Sequence, residues 1–263
     1  MSLNITEEEN PTMSVQVSKM NLDGLLATDF PEDWVLPKMS GFYLLIVGSP
    51  GSGKTTLLNS IITSRHKKGT RRSYRKVFDK ILLVSPTLGT GTSSSKDEFK
   101  KLPNGQKWTS VDYSVLDKVE TIAKEGREDD EHTLLIMDDV GAELRKSADV
   151  EKKLQTMLNN RRHLNLSVII LLQRFRDANP SMRTSLSHFI TFRPKSIPEL
   201  ERISTELLPF KKNHYLEIFN YVFDEDKYAF LYIDMSLRET NKFILYKKYN
   251  KLTITDPVNG IIN

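Results

Sequence analysis

Residues 42–59 read FYLLIVGSPGSGKTTLLN, and this stretch decides the fold. An apolar run with the composition of a β-strand leads into it, and leucines and isoleucines at helical spacing follow it. Between the two, residues 48–55 match the pattern G-x-x-x-x-G-K-[ST], which defines a phosphate-binding loop. The motif carries meaning only between a strand and a helix, which is its context here. The sequence therefore predicts a strand, a phosphate loop and a helix in succession.

The residue types of this loop suit the binding of ATP with Mg²⁺. Glycine adopts backbone conformations that are closed to other residues, so successive N–H groups can point at phosphate oxygens. The amino end of the following helix adds partial positive charge, and the Lys54 ammonium can reach the β- and γ-phosphates. Thr55 supplies a hydroxyl to Mg²⁺. The predicted nucleotide contacts are Gly48, Ser49, Pro50, Gly51, Ser52, Gly53, Lys54, Thr55 and Thr56.

Composition limits the remaining classes. A chain of 263 residues, 38% of them hydrophobic, can bury one sizeable core. The absence of cysteine excludes disulfides, zinc sites built on thiolates and cysteine nucleophiles. The longest aliphatic run, residues 168–172, is too short to span a bilayer, and the acidic amino terminus lacks a secretory signal, so we expect a soluble intracellular protein. The net charge of +4 permits a nucleic-acid partner without requiring one.

The chain divides by pattern into three segments. Residues 1–37 are rich in proline and acids and form an arm, which we expect to dock through Phe30 and Trp34. Residues 38–197 alternate between strand and helix patterns, which predicts an α/β P-loop NTPase core: a mostly parallel sheet flanked by helices. Residues 198–263 form a C-terminal extension. Core strands are predicted at 42–47, 81–84, 134–137, 168–172 and 189–192, with extension helices at 198–208 and 212–223 and a hairpin of 228–234 and 242–247.

Two polar strand ends follow the loop in the sequence. Residues 134–139 read LLIMDD, the form of a Walker B element, in which Asp138 holds the Mg²⁺ shell and Asp139 orients or deprotonates water. The next buried run, residues 167–172, is followed by Gln173, whose amide can hydrogen-bond the γ-phosphate or the attacking water. Because parallel strands end at one edge of a sheet, where open α/β sheets bind ligands, we expect these side chains near the phosphate loop.

Two groups of cations, at residues 161–162 and 65–76, are candidates for a functional role. Residues 150–164 have helical spacing, with Arg161 on the apolar face and Arg162 beside it. An arginine delivered to the γ-phosphate of a neighbouring subunit accelerates hydrolysis by about 10³–10⁵ where measured, although cations also favour helix carboxyl ends for other reasons. Arg162 is the better candidate, since Arg161 can extend along the apolar face. The basic segment 65–76 fits either a solvated loop or a contact with a phosphate backbone.

With these residues in hand, the chain resembles the genome-packaging ATPases of large DNA viruses, the poxvirus-type branch of the FtsK–HerA superfamily of DNA translocases. The resemblance covers residues 40–195 and rests on GSPGSGKT at 48–55, LLIMDD at 134–139 and NRRHLNLSVIILLQ at 160–173. It implies a RecA-like sheet in which the strand ending at Gln173 lies between the phosphate-loop and Walker B strands. It also implies ATP-driven packaging of double-stranded DNA, read without sequence preference, by a homo-oligomeric ring of five or six subunits.

The resemblance further implies roles for single residues. It places Lys54 and Thr55 on phosphate and Mg²⁺, Asp138 on Mg²⁺, Gln173 as the sensor, and Arg162 or Arg161 as an arginine finger acting in trans. By the same resemblance the protein acts in the cytoplasmic virus factory of the host and in the virion, with a capsid or membrane component as a further partner, and is not itself transmembrane.

One residue departs from the pattern of the superfamily, and two other functions also fit a phosphate loop. Many bacterial members of the superfamily place glutamate after the Walker B aspartate, whereas this chain has Asp139, so the base that activates water is either Asp139 or Glu143. A small-molecule phosphotransferase also uses a phosphate loop but works as a monomer. A nucleotide-dependent scaffold protein binds ATP and cycles slowly without moving DNA.

Overall fold

The computed structural model describes residues 24–27, 30, 34–63, 74, 77–88, 98–208, 212–224, 226–236, 243–256 and 260–261. Most of the predicted arm, and all of the basic segment 65–76 except Tyr74, lie outside these described residues. Of the arm, Phe30 stacks on Trp34 with ring centroids 5.1 Å apart, and Trp34 stacks on Tyr74 at 5.7 Å. The predicted docking of the arm through these two rings is confirmed.

Strands and helices alternate through the first two thirds of the chain. The strands are β1 (Tyr43–Val47), β2 (Lys80–Val84), β3 (Lys107–Trp108), β4 (Thr133–Asp138), β5 (Leu166–Leu172), β6 (His188–Phe192), β7 (Phe230–Asp234), β8 (Ile244–Lys247), β9 (Asn250–Leu252), β10 (Thr255–Asp256) and β11 (Gly260–Ile261). The α-helices are α1 (Lys54–Thr63), α2 (Tyr113–Glu128), α3 (Gly141–Leu144), α4 (Ala148–Asn160), α5 (Pro180–Thr184), α6 (Ile197–Leu207) and α7 (Lys212–Phe223). Short 3-10 helices lie at Glu98–Lys101, Asn104–Gln106 and Phe175–Asp177.

Nine strands form one sheet in the order β3-β2-β4-β5-β1-β6-β7-β8-β9. The first six in this order are parallel, and β7, β8 and β9 continue the sheet antiparallel to their neighbours. Strand β5 lies between β4 and β1, so the strand order expected from the resemblance is confirmed. All five predicted core strands are present. The sequence missed β3, because a strand of two residues has no periodicity to recognise.

Helices cover both faces of the sheet, which explains why its central strands are apolar throughout. On one face Leu45 and Ile170 belong to a cluster with residues of α2 and α4, and on the other Ile46 and Ile169 pack with Leu58 of α1. Helix α4 buries Val150, Leu154, Met157 and Leu158, the face predicted from their spacing, but it ends at Asn160 rather than at 164. Within the described ranges, no helix has the length and apolarity needed to cross a bilayer.

The extension joins the main sheet. The predicted hairpin is present, with Tyr232 of β7 opposite Tyr246 of β8, and β7 pairs with β6 along its whole length. The helices predicted in this region correspond to α6 and α7. The segment boundaries at residues 37 and 197 stay predictions.

Arg161 stabilises the edge of the sheet at which the parallel strands begin. Its buried guanidinium donates from Nε to the Gly41 carbonyl at 2.8 Å and from Nη1 to the Leu158 carbonyl at 2.6 Å. The Gly41 N–H donates to Ser167 Oγ at 3.2 Å. Gly41 has a φ of +70°, and a Cβ at this position would lie 3.0 Å from the Cα of Arg162. Only glycine therefore fits at this position, in the segment before β1 that packs against the turn between α4 and β5.

We expect Gly41→Ala to lower the free energy of unfolding by more than about 1 kcal/mol, because alanine is strained at positive φ and its methyl group would press on Arg162. Urea unfolding followed by circular dichroism measures this change.

The matched control is Gly105→Ala, where a Cβ meets no atom within 4 Å and φ is not in the left-handed region. This control should change stability by less than about 0.5 kcal/mol. Equal stability of the two variants would contradict the role given to Gly41.

Candidate active site

The register of three neighbouring strands brings the predicted site residues together. Val47, at the end of β1, lies opposite Leu172, at the end of β5, and Asp138 of β4 lies opposite Leu171. Because the three strands are parallel and end level with one another, the segments that follow them leave the same edge of the sheet. These segments are the phosphate loop, Asp139 and Gln173.

The phosphate loop has the backbone that its glycines were expected to allow. Gly51 and Gly53 have φ values of 76° and 102°, and α1 begins directly afterwards at Lys54. The Lys54 ammonium donates to the carbonyls of Gly48 at 2.5 Å and Ser49 at 3.3 Å. Burial lowers the pKa of Lys54, while the nearby Asp138 and Asp139 carboxylates act in the opposite direction. This backbone and the position of the ammonium fit an anion cradle.

Thr55 and Asp138 form an oxygen pair suited to Mg²⁺. The Thr55 hydroxyl donates to Asp138 Oδ2 at 3.4 Å, so two hard oxygen ligands lie side by side at the start of α1. Among the residues that the structure describes, no cluster of three or more histidine or acidic side chains could hold a metal by itself. This donor set fits Mg²⁺, which commonly uses one or two protein oxygens together with substrate phosphates and water.

Asp139 and Gln173 contact each other directly. Gln173 Nε2 donates to Asp139 Oδ1 at 2.8 Å. Asp139 has a φ of 57°, a conformation that aspartate tolerates better than most residues but that still costs energy. Its N–H donates to the Leu171 carbonyl at 3.2 Å, which ties the residue to β5. The turn after β4 is thus held so that its carboxylate meets the amide at the end of β5.

Glu143, the alternative base, lies elsewhere. It belongs to α3 and lines a groove with Asp112 and Tyr113, beside α2 and α4. It forms an ion pair with Lys146, whose Nζ lies 3.9 Å from Glu143 Oε1. Of the two candidates for the water-activating base, Asp139 is therefore the one in contact with Gln173.

The segments after β4 and β5 are also fastened to each other, a feature that sequence reasoning missed. The buried Asp177 carboxylate accepts a hydrogen bond from Arg145, and a Cβ on Gly141 would lie 3.3 Å from that of Asp177. The Phe175 N–H donates to Glu199 Oε1 at 2.6 Å, which links the segment to α6. No local pattern signals these contacts, because each joins residues far apart in the sequence.

Arg161 and Arg162 lie at the opposite edge of the sheet from the phosphate loop. Both precede β5, whereas Gln173 follows it, and the seven residues of this strand span about 20 Å. Arg161 is buried against Gly41, and Arg162 is half-buried. Neither arginine can therefore reach the phosphate loop of its own chain.

A cleft of about 420 Å³ adjoins the first half of the phosphate loop. Ser49, Pro50 and Gln173 are among the residues that line it, and Glu199 is the acidic residue in its wall. Five cations are also among the lining residues: Arg174, Arg176, Arg193, Lys195 and Arg202. Across the described part of the chain, none of these five forms an ion pair with a carboxylate. The sequence did not reveal this cluster. With five cations and one acidic residue, the lining carries a net positive charge, which favours the binding of polyanions.

Solved structures share this fold. The DNA-packaging ATPase B204 of Sulfolobus turreted icosahedral virus superposes with a TM-score of 0.56 at 18% identity, covering 79% of this chain and 98% of that one. The genome-packaging NTPase B204 of Sulfolobus turreted icosahedral virus 2, solved in complex with ATP-gammaS, gives 0.53 at 17% identity, covering 79% and 97%. At these identities the likeness establishes the fold alone.

Sequence relatives give the family. The DNA packaging protein OPG160 of Variola virus is 30% identical over 152 residues, which are 57% of this chain and 53% of the relative. Its counterpart in Vaccinia virus strain Copenhagen is 29% identical over 156 residues, with the same coverage, so the chain spans about half the length of these relatives. The family described as "Poxvirus A32 protein" matches residues 34–262. Because this match covers most of the chain, the chain belongs to the poxvirus A32 protein family.

Proposed function

We propose that the chain is an ATPase that drives double-stranded DNA into viral capsids. The observation that carries the proposal is the convergence of the phosphate loop, the Thr55–Asp138 pair and the Asp139–Gln173 hydrogen bond at one edge of the sheet. Membership of the poxvirus A32 family, and the name "DNA packaging protein" of relatives about half covered by this chain, support DNA as the substrate.

The loop binds the nucleotide by its phosphates. Backbone N–H groups of residues 48–55, apart from Pro50, which has none, and the Lys54 ammonium hold the β- and γ-phosphates, and the helix α1 directs its positive end toward them. Thr55 and Asp138 hold Mg²⁺, which when bound offsets the charge of the phosphate oxygens. The lowered pKa of Lys54, caused first by burial, reflects a cation desolvated for this contact.

Asp139 prepares the attacking water. One carboxylate oxygen is held by Gln173, so the group has a fixed direction from which to accept a proton. The water oxygen forms a bond to the γ-phosphorus while the bond from that phosphorus to the ADP oxygen breaks, and the proton passes to Asp139. The family resemblance assigns Gln173 the role of γ-phosphate sensor, and its contact with Asp139 and its position beside the cleft support that role.

Arg162 completes the charge stabilisation from a neighbouring copy. Its place at the far edge of the sheet excludes action on its own nucleotide, so only another subunit can receive it. Arg161 serves instead as a positioning residue, since its guanidinium is bonded to the Gly41 and Leu158 carbonyls. A site completed in this way requires an oligomer, and the homo-oligomeric ring of five or six subunits implied by the family resemblance would supply one.

DNA passes through this ring by contacts with its phosphate backbone. Such contacts read no sequence and weaken steeply with salt. The basic segment 65–76 is one source of cations for them. The place of action is the virus factory of the host, with a capsid or membrane component of the virion as a further partner.

We expect Asp139→Asn to reduce kcat for ATP hydrolysis by about 10²-fold or more, because the amide cannot accept the proton of the attacking water. The affinity for ATP should change by less than about threefold, since Asp139 is not among the phosphate ligands. Steady-state hydrolysis assays and equilibrium nucleotide binding measure the two quantities.

Glu143→Gln is the matched control, because it neutralises the other candidate base on the same stretch of chain. It should leave kcat within about threefold of the native value. Loss of turnover in Glu143→Gln with normal turnover in Asp139→Asn would reverse the assignment.

The native chain should hydrolyse ATP faster per subunit as its concentration rises through ring assembly, and double-stranded DNA should stimulate it further. Raising the salt concentration should remove most of the DNA-stimulated rate, because phosphate contacts release counterions. ATPase rates over a concentration series, with and without DNA, together with the mass in solution, test both points.

A rate per subunit that depends on neither concentration nor DNA favours the monomeric phosphotransferase. Slow turnover that DNA leaves unchanged in an assembled protein favours the scaffold.

A further inference from the structure

The ring of Tyr228 lies exposed beside the phosphate loop. This large hydrophobic residue has 56% of its surface exposed to solvent. A Cβ placed on Gly53 would lie 3.5 Å from Tyr228 Cδ1 and 3.8 Å from Phe192 Cε1. Because Phe192 is buried, Tyr228 is the one of these two rings that is exposed to solvent beside the loop. Sequence reasoning gave Tyr228 no function.

The backbone that carries this ring is held firmly. The Tyr228 N–H donates to Asp226 Oδ1 at 2.7 Å, and Lys248, in the turn between β8 and β9, pairs with the same carboxylate at 2.5 Å. The hydrogen bond from Lys248 is the main reason why the pKa of Asp226 is lowered. The next residue, Ala229, is buried and leads into β7. The exposure of Tyr228 is therefore a property of an ordered position.

The loop has a direction, which decides what lies near Tyr228. Ser49 and Pro50 share the cleft with Gln173, so the first half of the loop faces the end of the triphosphate where hydrolysis takes place. Gly53 stands at the other half, directly before Lys54 and α1. When the triphosphate lies along the loop, its α-phosphate is therefore on the side of Gly53. The sugar and base extend from the loop on that side.

We propose that Tyr228 is the stacking surface for the base of the bound nucleoside triphosphate. A tyrosine ring offers a flat apolar face with two rotatable side-chain bonds, which suits the face of a nucleobase. Lys227 Nζ lies 5.4 Å from the centre of the ring, so one face carries a cation and the base stacks on the other. This inference rests on the proposed function, because it assumes that the loop holds a nucleotide.

The test compares ATP with inorganic tripolyphosphate, which has the same phosphate chain but no base. Isothermal titration calorimetry on the full chain with Mg²⁺ gives the dissociation constants. Tyr228→Ala should weaken ATP binding by roughly tenfold, the effect typical of one lost base–aromatic stack, and change tripolyphosphate binding by less than about twofold. Tyr228→Phe keeps the ring and should bind ATP within about threefold of the native affinity.

Tyr221→Ala is the matched control, since Tyr221 is 63% exposed on α7 and should affect neither ligand. Native ATP affinity in Tyr228→Ala would overturn the proposal, as would equal weakening of both ligands, which indicates damage to the loop instead of loss of a stack. The proposed function fails by a different result, namely no DNA-stimulated ATP hydrolysis by the native chain. The difference between ATP and tripolyphosphate can be measured in either case.

Discussion

The alignment of three parallel strands is the constraint on which the rest of the molecule depends. Strands β4, β5 and β1 are adjacent and end level, so Asp139, Gln173 and the phosphate loop follow paired positions. A slip of one residue between two of these strands would turn every side chain to the other face and separate Asp139 from Gln173. The aliphatic core, which fixes this register on both faces of the sheet, therefore also fixes the geometry of the site.

The sequence was sufficient for the parts of the structure that repeat or that follow chemistry. Apolar runs predicted the core strands, and the loop pattern predicted the βα unit around Lys54, because local spacing decides both. The contact between Asp177 and Arg145, the cations of the cleft and the ring of Tyr228 could not be predicted. They join segments that are distant in the sequence, and only the packing of the sheet brings them together. Arg161 lies between these cases, since its spacing predicted a place on the apolar face of the helix but neither the burial of its guanidinium nor its bond to Gly41.

The two edges of the sheet have different tasks. The edge where the parallel strands end carries the residues proposed to bind the nucleotide, whereas Arg161 and Arg162 lie where β5 begins, about 20 Å away. A site completed by Arg162 links hydrolysis to assembly, because an isolated copy lacks the last positive charge. The cations of the cleft, Arg174 and Arg193 among them, are the competing source of that charge within one subunit. If Arg162 supplies the charge, the chain hydrolyses ATP only in a ring. If a cation of the cleft supplies it, a single subunit can hydrolyse ATP.

Mixing two inactive variants tests this claim most directly. Lys54→Ala removes the cation of the loop and Arg162→Ala the proposed finger, so each alone should hydrolyse ATP at under about 1% of the native rate. In a ring assembled from an equal mixture, about one interface in four joins an intact loop to an intact Arg162. The mixture should therefore recover roughly a quarter of the native rate. Native turnover by Arg162→Ala alone, or a mixture no more active than its parts, would contradict completion of the site by a neighbouring subunit.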